Sequence, residues 1–265
     1  MSQIKPTLQP ASGSLSGRVA LVTGSSSGIG EAVAHELARR GARVAITSRT
    51  LERAQPVAAE IASSGGAATA YAADLAQPAE AERLVGAVAD AEGRLDILVN
   101  NAGVGMVRPS TELSLEDWNL AIALDLTAPF LCAQAAARRM IAAGGGVIVN
   151  IGSVFARVGM PKRAAYCAAK HGLFGLTKAL ATEWARDGVR VVQVDPGFVR
   201  TDLVQESMRR GGFDVEQVED RTPLGRMADP QDVAGVVAFL VGDEAGYLTG
   251  SSVLADGGWV ADGGW

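Results

Sequence analysis

The chain has 265 residues, of which 48% are hydrophobic, and it carries a formal net charge of -5. This length fits one α/β domain with a sizeable core, and the negative charge gives no support for nucleic-acid binding. The two cysteines, Cys132 and Cys167, stand in no metal-type spacing, which predicts reduced thiols in a cytoplasmic protein without a metal site.

Residues 1–16 contain Pro, Ser and Gln but no apolar run. We therefore expect a flexible tail rather than a signal peptide or a membrane anchor, followed by one domain over residues 17–265. No later stretch reaches the run of about 20 apolar residues that spans a bilayer, so no membrane partner is expected.

The first predicted element is the β-branched apolar run Arg18–Thr23, which is typical of a buried parallel strand. The glycine-rich turn Gly24–Gly30 follows, and then a helical pattern that ends at Gly41. This order directs backbone N–H groups and a helix N-terminus at a pyrophosphate. The spacing is GxxxGxG rather than the usual GxGxxG, and a tight turn without a ligand is the alternative.

The second predicted strand, Arg43–Thr47, is followed by Ser48 and Arg49. In a dinucleotide-binding fold the end of this strand lies by the adenosine ribose, where an acid binds the 2′-OH and an arginine accommodates a 2′-phosphate. The acid is missing and Arg49 is present, which predicts that NADP(H) is preferred and NAD(H) is possible. The alternative is that Arg49 is only solvated.

The rest of the chain alternates between helical and strand patterns. Helices are predicted at Thr50–Ser63, which Pro56 interrupts, at Ala79–Ala91, at Leu115–Ala142 with a bend at Pro129, and at Arg163–Asp187. Strands are predicted at Ala67–Ala72, Leu95–Val99, Gly146–Ile151, Val189–Val194 and Ser251–Leu254. The alternation predicts a Rossmann-type, doubly wound parallel sheet in a single three-layer α/β/α domain. The segment Phe198–Arg226 is predicted to form a lid over the substrate side.

Two residues of the predicted fourth helix could carry acid–base chemistry. Tyr166 and Lys170 are four residues apart, so one helical turn places them on the same face. A free phenol has a pKa of about 10, and a nearby ammonium group lowers it towards the range useful for proton transfer. A buried aromatic beside a solvated lysine is the alternative. Ser153, which ends the preceding strand, has neither a GxSxG motif nor a suitable histidine partner, so a hydrolase is disfavoured.

Taken together, these motifs resemble those of the short-chain dehydrogenase/reductases, in the compact oxidoreductase branch of that family. The resemblance covers roughly residues 15–260. The matching residues are Thr23–Gly30, Asp74, Asn100–Gly103, Ser153, Tyr166, Lys170, Pro196–Gly197, Tyr247–Gly250 and Asp256–Gly258.

The resemblance implies an NAD(P)-dependent hydride transfer between the nicotinamide and a carbonyl or secondary alcohol, such as a sugar, sugar acid or 3-oxoacyl compound. Tyr166 would move the proton, Lys170 would lower its pKa and bind the nicotinamide ribose, and Ser153 would orient the substrate oxygen. The implied cofactor contacts are Gly24, Ser26, Ser27, Ile29, Arg49, Asp74, Leu75, Asn101, Ala102, Gly103, Tyr166, Lys170, Pro196, Gly197, Val199 and Thr201.

One residue departs from the family pattern. Asp125 stands where the family usually has an asparagine that helps to hold a water linked to the lysine, so the proton relay is in doubt. Asp125 could serve in its place or could add a charge that favours protonated Lys170. A catalytically idle dinucleotide-binding regulatory protein is the alternative function.

The family resemblance also implies a homotetramer, built partly from paired long helices and the C-terminal strand. The two Asp-Gly-Gly-Trp units place Trp259 and Trp265 near the chain end. An exposed tryptophan pair is unusual on a monomer, so we expect both to be buried against a neighbouring subunit.

Overall fold

The computed structural model describes residues 15–209 and 214–263. Residues 1–14 of the predicted tail, Gly211 and Gly212 of the predicted lid, and Trp265 lie outside the described residues. Leu15 is 1% exposed, and its N–H donates to the carbonyl of Arg40 at 2.9 Å. The folded domain therefore already includes Leu15 and begins earlier than the predicted boundary at residue 17.

Within the described residues, one sheet of seven parallel strands runs in the order β3-β2-β1-β4-β5-β6-β7. The strands are β1 Val19–Val22, β2 Arg43–Ser48, β3 Ala67–Ala72, β4 Ile97–Asn100, β5 Gly146–Ile151, β6 Val189–Pro196 and β7 Ser252–Ala255. The strand order reverses between β1 and β4, and that switch point opens a crevice at the carboxyl edge of the sheet. The predicted doubly wound parallel sheet is confirmed.

The helices lie on both faces of this sheet. They are α1 Gly28–Arg39, α2 Leu51–Ser63, α3 Pro78–Glu92, α4 Leu115–Ile122, α5 Ala128–Ala142, α6 Ala164–Trp184, α7 Asp202–Arg209, α8 Val215–Arg221 and α9 Pro230–Val241. Helices α1, α2 and α9 pack on one face, and α3, α5 and α6 pack on the other.

The two apolar layers follow from the alternation of side chains along each strand. In β2, Val44 and Ile46 join the cluster under α1, α2 and α9, whereas Ala45 joins the cluster under α3, α5 and α6. Successive residues of a strand point to opposite faces, so a strand that is buried on both faces reads as one continuous apolar run.

The predicted helix Leu115–Ala142 is interrupted before its proline. Residues Ala123–Thr127 form a π-helical turn between α4 and α5. Pro129 lies in the first turn of α5, directly after this π-helical turn. The irregular turn precedes Pro129 and carries Asp125. Helix α2 also runs unbroken through Pro56.

Three helices in the described part of the chain lie outside the predicted elements. Helices α7 and α8 lie within the predicted lid, and α9 follows it. The start of α9 could have been predicted from the sequence, because Asp229 and Asp232 form a capping box and Pro230 occupies the first turn. The lid segment is tied to the body by a parallel bridge between Val199 and Ala228.

Trp259 is not exposed on the chain, contrary to expectation. It is 6% exposed and packs edge-on against Phe155 and Phe198, with ring centroids 6.1 and 5.7 Å away. The Asp256 carboxylate accepts the N–H groups of Gly258 and Val260, which folds the chain end over this cluster. Trp259 is thus buried within its own subunit.

One helical stretch in the described part of the chain, Leu115–Ala142, is long and apolar enough to cross a membrane by length and composition alone. Half of its most apolar window is buried inside the fold. The buried apolar side chains of its second half, in α5, belong to the core packed against α3 and the sheet.

Candidate active site

A cleft of about 650 Å³ opens at the carboxyl edge of the sheet, beside the switch point. Every residue predicted to touch the cofactor or to act in catalysis lines it. The cleft is also lined by residues that the sequence analysis did not single out, among them Thr47, Ser48, Arg53, Val104, Leu120, Leu124, Ile151, Gly152, Asp202 and Val204.

The glycine positions of the turn Gly24–Gly30 have no space for a side chain, so a ligand phosphate can approach the backbone there. A Cβ on Gly24 would lie 2.9 Å from Ala102 Cα, and one on Gly30 would lie 2.4 Å from Asn101 Nδ2. Gly24 and Gly28 adopt φ values of +62° and +60°, which other residues rarely take. Because the first turn of α1 has no side-chain cap, its N–H groups remain directed at the cleft. These features fit the diphosphate of a dinucleotide.

Three buried hydroxyl groups brace this turn. The Thr23 hydroxyl accepts the N–H groups of Asn101 and Ala102 at 2.9 and 3.0 Å. The Ser25 hydroxyl donates to Val22 O at 2.7 Å and accepts from Thr47 N at 2.9 Å. The Thr47 hydroxyl accepts the Gly24 N–H at 3.0 Å. Strands β1, β2 and β4 are therefore joined at their ends by neutral groups.

Asn101 holds the glycine turn as well as lining the cleft. Its side-chain amide donates to Thr23 O at 2.9 Å and to Gly24 O at 3.0 Å. Both amide hydrogens are thus used within the protein, and the backbone N–H is donated to Thr23, which leaves the side-chain oxygen and the backbone carbonyl able to meet a ligand.

Two arginines stand at the end of the cleft formed by β2 and α2. Arg49 follows β2, and Arg53 lies one helical turn later on α2; both are exposed and both line the cleft. Neither guanidinium takes part in an ion pair with another described residue. Asp74 follows β3 in the same region and accepts the N–H of Ala76 at 3.2 Å.

Ser153 and Tyr166 meet at the other end of the cleft, where the nicotinamide would lie. Ser153 follows β5 and begins a short 3-10 turn, Val154–Ala156, whose Phe155 N–H its hydroxyl accepts at 3.2 Å. Tyr166 and Lys170 lie on one face of α6, with the Lys170 Nζ 5.5 Å from the centroid of the Tyr166 ring. The predicted constellation of hydroxyl, phenol and ammonium is therefore assembled.

The pKa of the Tyr166 phenol is raised above its ordinary value. Burial raises it most and Asp125 adds to the rise, while Lys170 and a hydrogen bond with Ser153 act in the opposite direction. Lys170 thus lowers this pKa as expected. The protein's own groups nevertheless leave the net shift upward, because burial penalises the phenolate.

Asp125 forms a buried ion pair with Lys170. Its side chain is 1% exposed, its Oδ1 lies 3.1 Å from Lys170 Nζ, and its Oδ2 accepts the Val104 N–H at 3.2 Å. Lys170 also donates to Ile151 O at 3.0 Å. The π-turn directs the carboxylate inward, against Gly103, where a Cβ would lie 2.4 Å from Asp125 Oδ1.

This pair keeps a cation in the site. Burial lowers the pKa of Lys170, but the charges of Asp125 and Tyr166 outweigh it and the pKa lies above its usual value. Burial raises the pKa of Asp125, opposed by Lys170 and by the Val104 N–H. Both groups gain from remaining charged together, since either one alone would be an unpaired ion in the interior.

The segment after β6 closes the cleft over the nicotinamide end. A Cβ on Gly197 would lie 2.9 Å from Asp256 Cα, which brings this turn against the C-terminal segment. Val199 is 2% exposed, and the Thr201 methyl lies 3.1 Å from where a Cβ on Gly28 would be. Thr201 therefore reaches across to the glycine turn.

Aromatic rings and an arginine pack around the Tyr166 ring. The Phe155 ring meets the rings of Tyr166 and Phe198 edge-on, at centroid distances of 6.3 and 6.0 Å. Buried Arg163 lies over the Tyr166 ring at 6.0 Å. The sequence analysis did not identify Phe155 or Arg163, because neither belongs to a motif.

One group of possible metal ligands occurs in the described part of the chain. Atoms of Glu31, His35 and Glu60 lie within 4.8 Å of one another on α1 and α2. The group is partly exposed and includes a surface pair, with His35 Nε2 3.7 Å from Glu60 Oε2. It lies away from the catalytic strand ends, and we propose no metal for it.

Known proteins are similar to this chain over most of its length. A family model described as enoyl-(acyl carrier protein) reductase matches residues 24–260. D-threitol dehydrogenase of Mycolicibacterium smegmatis is 42% identical over 246 residues, which are 93% of this chain and 94% of the relative. Cyclohexanol dehydrogenase of Acinetobacter sp. is 40% identical, over 92% of this chain and 95% of the relative.

A solved structure is similar over the same range. A putative NAD(P)-dependent gluconate 5-dehydrogenase from Beutenbergia cavernae, with bound NADP, superposes with a TM-score of 0.89 at 41% identity. The match covers 94% of this chain and 98% of that one.

Proposed function

Because this chain belongs to the short-chain dehydrogenase/reductase family, we propose specific roles for the residues of its cleft, together with a cofactor preference and a substrate class. The protein is an NAD(P)-dependent oxidoreductase that transfers a hydride between the nicotinamide and a carbonyl or secondary alcohol. The alternative of an idle dinucleotide-binding protein finds no support. The observation that carries the proposed roles is the convergence of Ser153, Tyr166 and Lys170 in one cleft.

The bound nicotinamide cofactor supplies or accepts the hydride. Tyr166 donates its phenolic proton to the carbonyl oxygen, and in the reverse direction it accepts the proton of the alcohol. The Ser153 hydroxyl holds the same oxygen and stabilises its developing negative charge. Lys170 stabilises the phenolate that remains after proton donation and offers donors to the nicotinamide ribose.

Asp125 is proposed to keep Lys170 charged and in place. Its carboxylate lies 3.1 Å from Lys170 Nζ, so the cation is held without an asparagine-bound water as its partner. The relay that the family builds from an amide is here replaced by an ion pair. This replacement changes the pKa values of the site and leaves the hydride transfer itself to the same groups.

We propose that NADP(H) is preferred over NAD(H). Arg49 and Arg53 line the adenosine end of the cleft, and no acidic residue ends β2 to repel a 2′-phosphate. A charge-assisted contact from one guanidinium contributes on the order of 1.5–3 kcal/mol, or roughly ten- to a hundredfold in affinity. The similar structure from Beutenbergia cavernae, described with bound NADP, supports this choice.

The substrate is proposed to be a small secondary alcohol or the matching ketone. The relatives include a polyol dehydrogenase, a cyclic-alcohol dehydrogenase and a putative gluconate dehydrogenase. The shared chemistry is one carbon that carries an oxygen within reach of Tyr166 and Ser153. The apolar groups Leu120, Leu124 and Val204 in the lining are compatible with the hydrocarbon part of such a molecule.

The test is an absorbance assay for NAD(P)H formation with D-threitol, cyclohexanol and gluconate, each with NADP⁺ and with NAD⁺. We expect turnover of at least one alcohol, with higher kcat/KM for NADP⁺. Absence of turnover with every alcohol, in protein that binds NADPH, would count against this proposal.

We further propose a homotetramer in the cytoplasm. Leu115, Leu120 and Ile141 are exposed along α4 and α5, Leu254 is exposed on the edge strand β7, and both cysteines are free thiols. Such apolar positions favour contact between copies of the chain. A monomeric mass at micromolar concentration by light scattering would contradict the assembly.

A further inference from the structure

A buried carboxylate behind Ser153 has no part in the roles described above. Asp195 is the next-to-last residue of β6, and its side chain has no solvent exposure. It presses against the backbone that leads into Ser153, because a Cβ on Gly152 would lie 2.1 Å from Asp195 Oδ1. A glycine is therefore needed at position 152, and the carboxylate is in direct contact with the catalytic strand end.

Four donors converge on the two oxygens of Asp195. Oδ1 accepts the Ser153 backbone N–H at 3.2 Å and Gln193 Nε2 at 2.6 Å. Oδ2 accepts Arg157 Nε at 3.2 Å and the Ser252 hydroxyl. An ionised carboxylate satisfies all four, whereas a protonated acid or an asparagine would turn a donor towards one of them. Both side-chain oxygens of Asp195 therefore act as acceptors only.

Gln193 is itself held by a row of buried side chains that crosses the sheet. Asn100 Nδ2 donates to Asn150 Oδ1 at 2.9 Å, and Asn150 Nδ2 donates to Thr177 Oγ1 at 2.9 Å. The single Thr177 hydroxyl hydrogen is within reach of two acceptors, Leu173 O at 2.9 Å and Gln193 Oε1 at 3.2 Å. The row links side chains of β4, β5, α6 and β6, and Gln193 Nε2 at its end donates to Asp195 Oδ1.

Asp195 and Lys170 meet the same strand end from different sides. Lys170 Nζ donates to Ile151 O at 3.0 Å, and Asp195 accepts the N–H of Ser153, two residues further along. The other ionisable groups that face Lys170 are Asp125 from the π-turn and Tyr166 from its own helix. Asp195 is thus the charged group that β6 contributes to this environment.

We propose that Asp195 is a positioning residue for the hydride-transfer reaction. Its hydrogen bond to the Ser153 N–H fixes the backbone that carries the catalytic hydroxyl, and its negative charge helps to hold Lys170 as an ammonium ion. Asp125 and Tyr166 contribute most to raising the pKa of Lys170 against the effect of burial, and Asp195 makes the smallest contribution in the same direction. The catalytic part of this inference rests on the proposed function.

Arg157 opposes the charge of Asp195. Its guanidinium pairs with the carboxylate at 3.2 Å, and its side chain is 31% exposed while that of Asp195 is 0% exposed. A substitution at the partly exposed arginine therefore disturbs packing less than one at the buried acid. Removing Arg157 should strengthen the negative potential at Lys170, whereas removing the Asp195 charge should weaken it.

The first experiment compares Asp195→Asn with Asp90→Asn, which removes a carboxylate from an exposed ion pair with Arg139. The probe is NADPH-dependent reduction of cyclohexanone over a range of pH. For Asp195→Asn we expect kcat to fall about tenfold and KM for NADPH to change by less than about threefold. The alkaline limb of the plot of kcat against pH should move to lower pH by about half a unit. Asp90→Asn should match the unaltered protein. A folded Asp195→Asn protein with unchanged kcat and unchanged alkaline limb would overturn the proposal.

The second variant, Arg157→Gln, is predicted to shift the alkaline limb of the pH profile in the opposite direction. It tests the proposal even if Asp195→Asn does not fold. We expect its alkaline limb to move to higher pH, because the carboxylate keeps its other donors and loses its cation. A purely structural role for Asp195 moves neither limb. An alkaline limb that stays in place or moves to lower pH in Arg157→Gln would overturn the proposal.

A titration without substrate separates this inference from the proposed function. Ultraviolet absorbance follows phenol ionisation, and subtracting the spectrum of a Tyr166→Phe protein with the same second substitution isolates Tyr166. Since Tyr166 and Lys170 lose protons as a coupled pair, Asp195→Asn should lower the apparent pKa and Arg157→Gln should raise it. Equal titrations in all three backgrounds would refute the charge effect even if no alcohol is ever turned over.

Discussion

The two ends of the cofactor cleft are built from different kinds of buried polar group. At the diphosphate end, Thr23, Ser25, Thr47 and Asn101 satisfy one another and the backbone as neutral donors and acceptors. At the nicotinamide end, the buried groups include Asp125, Lys170 and Asp195, which carry full charges. The diphosphate end therefore fixes the shape of the backbone around the cofactor. The nicotinamide end holds buried positive and negative groups in balance.

This difference predicts how substitutions behave. At the diphosphate end, a change should act through space and alter cofactor affinity with little dependence on pH. At the nicotinamide end, a change should act through protonation and move the pH dependence of turnover.

The largest effect is expected from Tyr166→Phe, which removes the proton donor and keeps the ring. Turnover should fall by at least about 10²-fold, with NADPH binding nearly unchanged. Steady-state assays with cyclohexanone and fluorescence titration with NADPH measure the two quantities. Tyr247→Phe is the control, because that side chain is fully exposed. Wild-type turnover in Tyr166→Phe would remove Tyr166 from the mechanism.

The neutral end should show its sensitivity to shape in Gly30→Ala. The added methyl carbon would lie 2.4 Å from Asn101 Nδ2 and 2.5 Å from Gly24 O, so the glycine turn must shift. We expect NADPH affinity to fall at least about tenfold with no change in the pH profile, since close contacts cost roughly 1–3 kcal/mol. Gly86→Ala on α3 is the control, because a Cβ there meets no atom within 4 Å. Unchanged affinity would show that the glycine turn tolerates a side chain.

The sequence predicted the neutral end more completely than the charged end. Hydrophobic runs and the glycine spacing located β1, the turn and α1, because these are local signals that also fix their place in the sheet. The hydroxyls of Thr23, Ser25 and Thr47 were not predicted to brace the turn, since their partners lie on other strands.

At the charged end, spacing predicted that Tyr166 and Lys170 share a helix face. It could not predict the ion pair between Asp125 and Lys170, because a π-turn rather than a regular helix directs Asp125 inward. Asp195 was not among the predicted site residues, and its donors come from both ends of the 3-10 turn after β5, from β6 and from β7. Contacts between elements distant in sequence leave no local pattern to interpret.

The next effect in order of size is the preference for one cofactor over the other. We expect NADP(H) to bind at least about tenfold tighter than NAD(H), and Arg49→Ala to remove most of that difference without weakening NAD(H). Arg138→Ala, in an exposed pair with Glu82, is the control. Calorimetric titration with both cofactors measures the ratio. Equal affinities in the unaltered protein would mean that Arg49 contacts only solvent.

The smallest change in rate, with a diagnostic change in pH dependence, is expected from Asp125→Asn. The amide preserves size and an acceptor for the Val104 N–H, so turnover at neutral pH should change by less than about tenfold, or roughly 1.4 kcal/mol in the barrier. Asp125 raises the pKa of both Tyr166 and Lys170, so its removal should lower both and move the alkaline limb of ketone reduction to lower pH. The control for the loss of one negative charge is Asp117→Asn. Asp117 lies on α4 and forms a partly exposed ion pair with Arg108. A pH profile identical to that of the unaltered protein would mean that the carboxylate serves only as an amide of the same shape. A loss far above tenfold would mean that its charge is needed for the proton transfer itself.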